Sequence, residues 1–155
     1  MKKVALSKKT GWRLLLPLMA ADGILTYFAG GEANPIWQIF VKRFGFNIFT
    51  VLAGFIPALI LFYLVTKIGG WLITKVDQYP EGEEIVLTGL VIAYSTWVFY
   101  LAFLRPIFGY FGSRSHYRVI PFLMVPLIIY TFWLERRKKT GRTPSAAASF
   151  LPELL

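Results

Sequence analysis

Four stretches of this chain are apolar over lengths close to the thickness of a bilayer core, with charged or glycine- and proline-rich segments between them. The first runs from Trp12 to Gly30 and is interrupted by Pro17 and Asp22. Gly30-Gly31-Glu32-Ala33-Asn34-Pro35 then breaks it: paired glycines end a helix, and Pro35 suits the first turn of a new one with Asn34 as N-cap. Pro35 to Phe44 is apolar but too short to span, so it reads as an interfacial or re-entrant helix on the outer side. The second span is residues 46–66, with Pro57 near its middle; Gly69-Gly70 is expected to end it, leaving Trp71 to Val76 as a short interfacial continuation. The third is 85–104, closed by Arg105-Pro106. The fourth, 119–134, holds Pro121 and Pro126 and is short enough to need a start near Tyr117 or a thinned bilayer.

The pattern therefore predicts an all-α polytopic transmembrane bundle of about four spans plus one short interfacial helix. Residues 1–134 form a single membrane domain, and 135–155 form a basic tail. A basic start followed by Leu14 to Ala21 also resembles a secretory signal peptide. Cleavage after Ala20 or Ala21 would place Leu18 or Met19 at the position that requires a small residue, so the run is read as the first membrane helix.

Composition supports lipid as the solvent. The chain is 56% hydrophobic with a mean hydropathy of +0.57, and one core in 155 residues cannot hide so much apolar surface. The net charge of +9 does not indicate nucleic acid, because the cations sit at the ends of the apolar runs. Counting cations orients the chain. Lys2, Lys3, Lys8, Lys9, Arg13, Lys67, Lys75, Arg136, Arg137, Lys138, Lys139 and Arg142 fall on one side, against Lys42, Arg43, Arg105, Arg114 and Arg118 on the other. Twelve against five places both termini in the cytoplasm of a multi-pass cell-membrane protein. Membrane lipids are the expected partners, with Arg114 and Arg118 at headgroup level. The absence of cysteine excludes disulfides and thiolate chemistry, and only four Asn and Gln residues hint at a thermophilic source. Gly54/Ala58 and Gly89/Ala93 are read as close-packing pairs between the second and third helices. Four short spans make a thin bundle, which invites self-association or a membrane partner subunit.

Asp22 is the residue most able to carry chemistry. Ten residues from Trp12 put it roughly 15 Å deep, at mid-membrane. An acid there costs about 2.5–3.5 kcal/mol and should face protein. Thr26 lies one turn on, and a similar depth count along the third span reaches Tyr94 and Ser95. Pro57 and Pro126 free the carbonyls of Ala53 and Phe122 near the same level. A polar pocket built from three or four helices is the expectation. Asp22 serves in it either as interhelical glue or as a proton, cation or ligand site.

The spacing Asp22-x3-Thr26-x5-Glu32-x-Asn34-Pro35 resembles the signature of an uncharacterised family of small polytopic membrane proteins. In that family an aspartate in the first helix leads to a Glu-x-Asn-Pro turn and a second hydrophobic hairpin. The match covers about residues 18 to 66. The resemblance implies a membrane topology and a polar site drawing on Asp22, Thr26, Glu32 and Asn34; it implies no activity.

Several enzyme classes lack their residues. One histidine, His116, cannot form His-Glu-x-x-His, and a zinc site there would need Asp22 or Glu32 to approach it. Asp77 lies in a loop and cannot pair with Asp22 as a membrane aspartyl protease requires. No phosphate-binding loop, no Gly-x-Ser-x-Gly elbow and no full alcohol-phosphotransferase aspartate array is present. The acidic loop from Asp77 to Glu84 is accounted for by the positive end of the following helix. No metal, cofactor or catalytic residue is assigned. The sequence reads as a membrane binding or assembly component. A small proton- or cation-coupled transporter and an intramembrane enzyme acting on a lipid remain as alternatives.

Overall fold

A computed structural model describes residues 5–28, 35–108 and 120–141, and every element among them is helical. Helix α1 spans Lys8–Phe28. It starts a turn earlier than the apolar run because Ser7 caps it, its Oγ accepting the Thr10 N–H at 3.2 Å. Helix α2 is Pro35–Phe44. It stops at Gly45, which takes the left-handed conformation (φ 78°) that terminates helices, its N–H bonding to the Val41 carbonyl at 2.8 Å. Asn47 caps helix α3, Ile48–Val76, by accepting the Thr50 N–H at 3.0 Å. Helix α4 spans Gly82–Phe99, a π-helical turn follows at Tyr100–Leu104, helix α5 is Arg105–Phe108, and helix α6 is Ile120–Gly141.

Two expected helix ends are corrected, and the last helix is longer than its apolar run. Gly69-Gly70 does not end the second apolar helix, which runs on as one element of 29 residues. These glycines serve close approach instead. A Cβ on Gly70 would lie 2.7 Å from the Glu83 backbone, and one on Gly82 would run into the Gly70 carbonyl. Two helices meet here without side chains between them. Arg105-Pro106 does not close the third helix either. The π turn absorbs the proline, with the Arg105 N–H reaching back to the Tyr100 carbonyl. The last helix continues past Leu134 into the cationic segment assigned to the tail. Leu134 is buried and its carbonyl accepts the Tyr79 hydroxyl at 3.4 Å, which anchors that extra length.

Helix α4 is the centre of the fold, packing against α1, α3 and α6. Side-chain pairings give the directions. Gly11 sits on Leu87 and Asp22 meets Trp97, so α1 runs parallel to α4. Gly70 meets Glu83 while Phe62 meets Tyr94, so α3 is antiparallel to it. Tyr79 reaches Leu134 while Tyr100 packs on Phe122, so α6 is antiparallel as well. The start of α1, the α3–α4 turn and the end of α6 therefore share one end of the bundle. Gly89 faces Leu127 of α6, not the second helix as its spacing suggested, whereas Ala58 does pack on the core beside α4. Helices α1 and α6 do not pack on each other among the described residues, so the bundle is open on that side.

The core is small. Leu15, Met19, Leu87 and Val91 form its buried centre, with Phe55, Leu59, Phe62 and Tyr94 packed around them. Among the described residues, two helical stretches, Ile48–Val76 and Gly82–Leu104, are long and apolar enough to cross a membrane by length and composition. Helices α1 and α6 have 21 and 22 residues, but α1 carries Arg13 and Asp22 and α6 carries Glu135 with the cations after it. The four spans expected from the sequence thus stand at two by this measure.

Candidate functional site

Asp22 projects from α1 toward α4, and both of its carboxylate oxygens are engaged. The Tyr94 hydroxyl donates to Oδ2 at 2.9 Å, and the Trp97 indole N–H donates to Oδ1 at 2.9 Å. The two donors are three residues apart on α4, which puts them on one helix face about one turn apart. That face is turned to α1 because Leu87 and Val91 of the same helix are packed into the core with Leu15 and Met19.

Each donor is held from behind. The Tyr94 ring meets Phe62 of α3 edge-on at 5.3 Å, and the Trp97 ring stacks on Tyr100 at 5.8 Å. Tyr100 is buried and opens the π turn, so the carboxylate's partners lie directly beside the one irregular turn of the described helices. An indole can only donate a hydrogen bond, and a phenol donates readily to a carboxylate. The arrangement therefore presents two fixed donors to an acceptor and ties α1 to α4 at mid-length.

The structure brings together only part of the expected pocket. Asp22 and Tyr94 meet. Thr26 is half-buried one turn further along α1 and is not among the donors to the carboxylate. Ser95 is exposed and lines a separate groove with Leu14, Pro17, Leu18 and Val91. Glu32, Asn34, Arg114, His116 and Arg118 lie outside the described residues. The carbonyl freed by Pro57 does not contribute, because Pro57 and Ala53 are both on the exposed side of α3, and α6, with Pro126, does not reach α1. Among the described residues no three acidic or histidine side chains gather as a metal site would require.

Trp97 was missed by depth counting, although the sequence held a signal for it. It is three residues from Tyr94 in an apolar helix, and its N–H needs an acceptor wherever water is absent. No family model matches this chain, and no curated protein or solved structure is significantly similar to it.

Proposed function

We propose that this chain is an integral membrane protein crossing the bilayer four times with both termini cytoplasmic. It acts as a binding or assembly component whose first and third crossing helices are joined through Asp22. The observation that carries the reading is the exposure of α3. Only 6% of its most apolar stretch is buried in the monomer, and Phe49, Ile56, Ile60, Leu61, Leu64 and Ile68 all stand open. A soluble protein hides such a helix in its core; this one leaves it outside, where hydrocarbon is the natural cover.

The length of α3 agrees. At 1.5 Å per residue, Ile48 to Thr66 covers about 28 Å, close to a hydrocarbon core of about 30 Å. The surplus from Lys67 onward carries interfacial chemistry: the Lys75 ammonium lies 4.8 Å from the centre of the Trp71 ring, an aromatic–cation pair suited to headgroup level. The alternation of helix directions around α4 supports an even number of crossings, with the cationic start of α1 and the cationic end of α6 at the same end of the bundle. Both Asp22 oxygens are committed to α4, which favours a joining role over an open ion site.

The chain has no cysteine, so single-cysteine labelling tests the topology directly. Glu81→Cys, in the α3–α4 turn, is expected to react with a membrane-impermeant maleimide only in inside-out vesicles, and Lys42→Cys only in right-side-out ones. Extraction of the chain from membranes by alkaline carbonate, or labelling of both sites from one side, overturns the proposal.

A further inference from the structure

We infer that the groove between α1 and α4 is a binding site for one acyl chain of an anionic phospholipid, whose phosphate is held at the mouth by Arg13 and Lys9. The inference rests on the membrane reading above and adds a ligand to it.

The groove exists because the bundle is open. Helix α4 is flanked by α1 on one side and α6 on another, and those two do not pack together among the described residues. The resulting channel has a volume of about 300 Å³, and its lining is almost wholly apolar: Leu14, Pro17 and Leu18 from α1, Val91 and Ser95 from α4. That is the low end of the roughly 300–1,000 Å³ of small-molecule sites. Among the described residues no side chain fills it. In a bilayer it opens to the acyl region, so an alkyl chain is the occupant at hand.

The charge at one end of the groove selects among lipids. Lys9, Arg13 and Pro17 follow one another at four-residue spacing, so two cations lie on the helix face that continues into the groove wall. Both are exposed. Lys8, by contrast, points to another partner and is ion-paired with Glu83 at 2.8 Å. Pro17 has no N–H to give, which leaves the Arg13 carbonyl one turn below without its helical donor. The mouth thus offers a guanidinium, an ammonium and a backbone acceptor where a phosphate and its neighbouring glycerol would lie. Guanidinium groups bind phosphate through paired, charge-assisted hydrogen bonds. Deeper in, the lining has only the Ser95 hydroxyl as a polar side chain, which suits a hydrocarbon tail.

Ser95→Cys gives a single thiol in the groove wall at a position that is exposed and needs little change in volume. Its alkylation by a maleimide is measured in detergent with added phosphatidylglycerol or phosphatidylcholine of the same acyl chains. Phosphatidylglycerol is expected to protect the thiol at about tenfold lower concentration than phosphatidylcholine, the equivalent of one charge-assisted hydrogen bond. Adding Arg13→Gln is expected to erase that difference while leaving protection at high lipid. Equal protection by both lipids, or a rate insensitive to either, overturns the site. Protection that rises with protein concentration and not with lipid also overturns it, in favour of a second copy of the chain. A lipid-insensitive thiol in a chain that still resists carbonate extraction removes the groove alone; extraction by carbonate removes the membrane reading itself.

Discussion

At the scale of single residues, the Asp22 carboxylate accepts from two donors on one face of α4, the Tyr94 hydroxyl and the Trp97 N–H. Replacing Asp22 with leucine removes both hydrogen bonds across the α1–α4 contact, at a cost of about 1–3 kcal/mol for each. Asparagine is a milder change, since its carbonyl can accept from Trp97 and its amide can donate to the Tyr94 oxygen. The expectation for thermal unfolding in detergent is a large drop in Tm for Asp22→Leu and a small one for Asp22→Asn. A carrier mechanism predicts the reverse emphasis, with Asp22→Asn folded but unable to support pH-dependent flux in liposomes. Loss of flux with unchanged Tm would therefore sink the joining role. Counting residues from the start of each apolar run was enough to set Asp22 and Tyr94 at one depth. It could not supply helix rotation, so it coupled Ser95 to the site and overlooked Trp97, although the two neighbours of Tyr94 at +1 and +3 point to different faces.

Among the elements, α2 was readable to the residue because its borders are local: Pro35 opens it and Gly45 closes it. The ends that were misjudged are those where tertiary contact overrides a local signal. Gly69-Gly70 looks like a terminator because glycine is a poor helix former, at about 1 kcal/mol per residue. Direct backbone contact with the start of α4 reverses its meaning, and nothing in the local sequence announces a partner. Pro106 looks like a stop for the same kind of reason, yet a single π turn lets the helix run on. Gly82→Ala is then expected to separate α3 from α4 and to lower stability by about 1–3 kcal/mol, as overpacking does. Gly89→Leu is expected to displace α6, since Leu127 is the side chain a Cβ there would touch, at 3.8 Å. Cross-linking between engineered cysteines on α4 and α3, or on α4 and α6, separates the two outcomes. Loss of the α3 cross-link on changing Gly89 would restore the packing read from the sequence.

For the molecule as a whole, α4 carries a joint at mid-length and a second at the end where the chain's cations gather. Glu83, ahead of the apolar stretch that begins at Ile85, accepts from Lys8 of α1 at 2.8 Å and from Lys67 of α3 at 3.0 Å. Three helices are tied at one carboxylate, beside the glycine contact that already holds α3 to α4. The hydrogen bonds from Lys8 and then Lys67 hold the Glu83 carboxyl below its ordinary value, against a smaller opposing effect of desolvation. A lowered value means that the folded state binds its proton less readily than the unfolded chain does. The contribution is therefore complete above the ordinary carboxylate value of about 4.3, and it is lost as pH falls through the lowered one. It is modest, because the lysine side chains are 58% and 47% exposed and water and salt screen the pairs. Lowering the pH from about 6 to about 3 is expected to reduce the Tm of the detergent-solubilised chain, with a smaller fall in Glu83→Gln. Added salt should narrow that gap, whereas the Asp22 joint, closed off from ions, should not respond. An identical acid profile in Glu83→Gln would show that the ion pairs do not hold this end, leaving α3 to the glycine contact and α1 to its packing on Leu87 and the Leu6 N–H bond to the Thr88 hydroxyl at 2.9 Å.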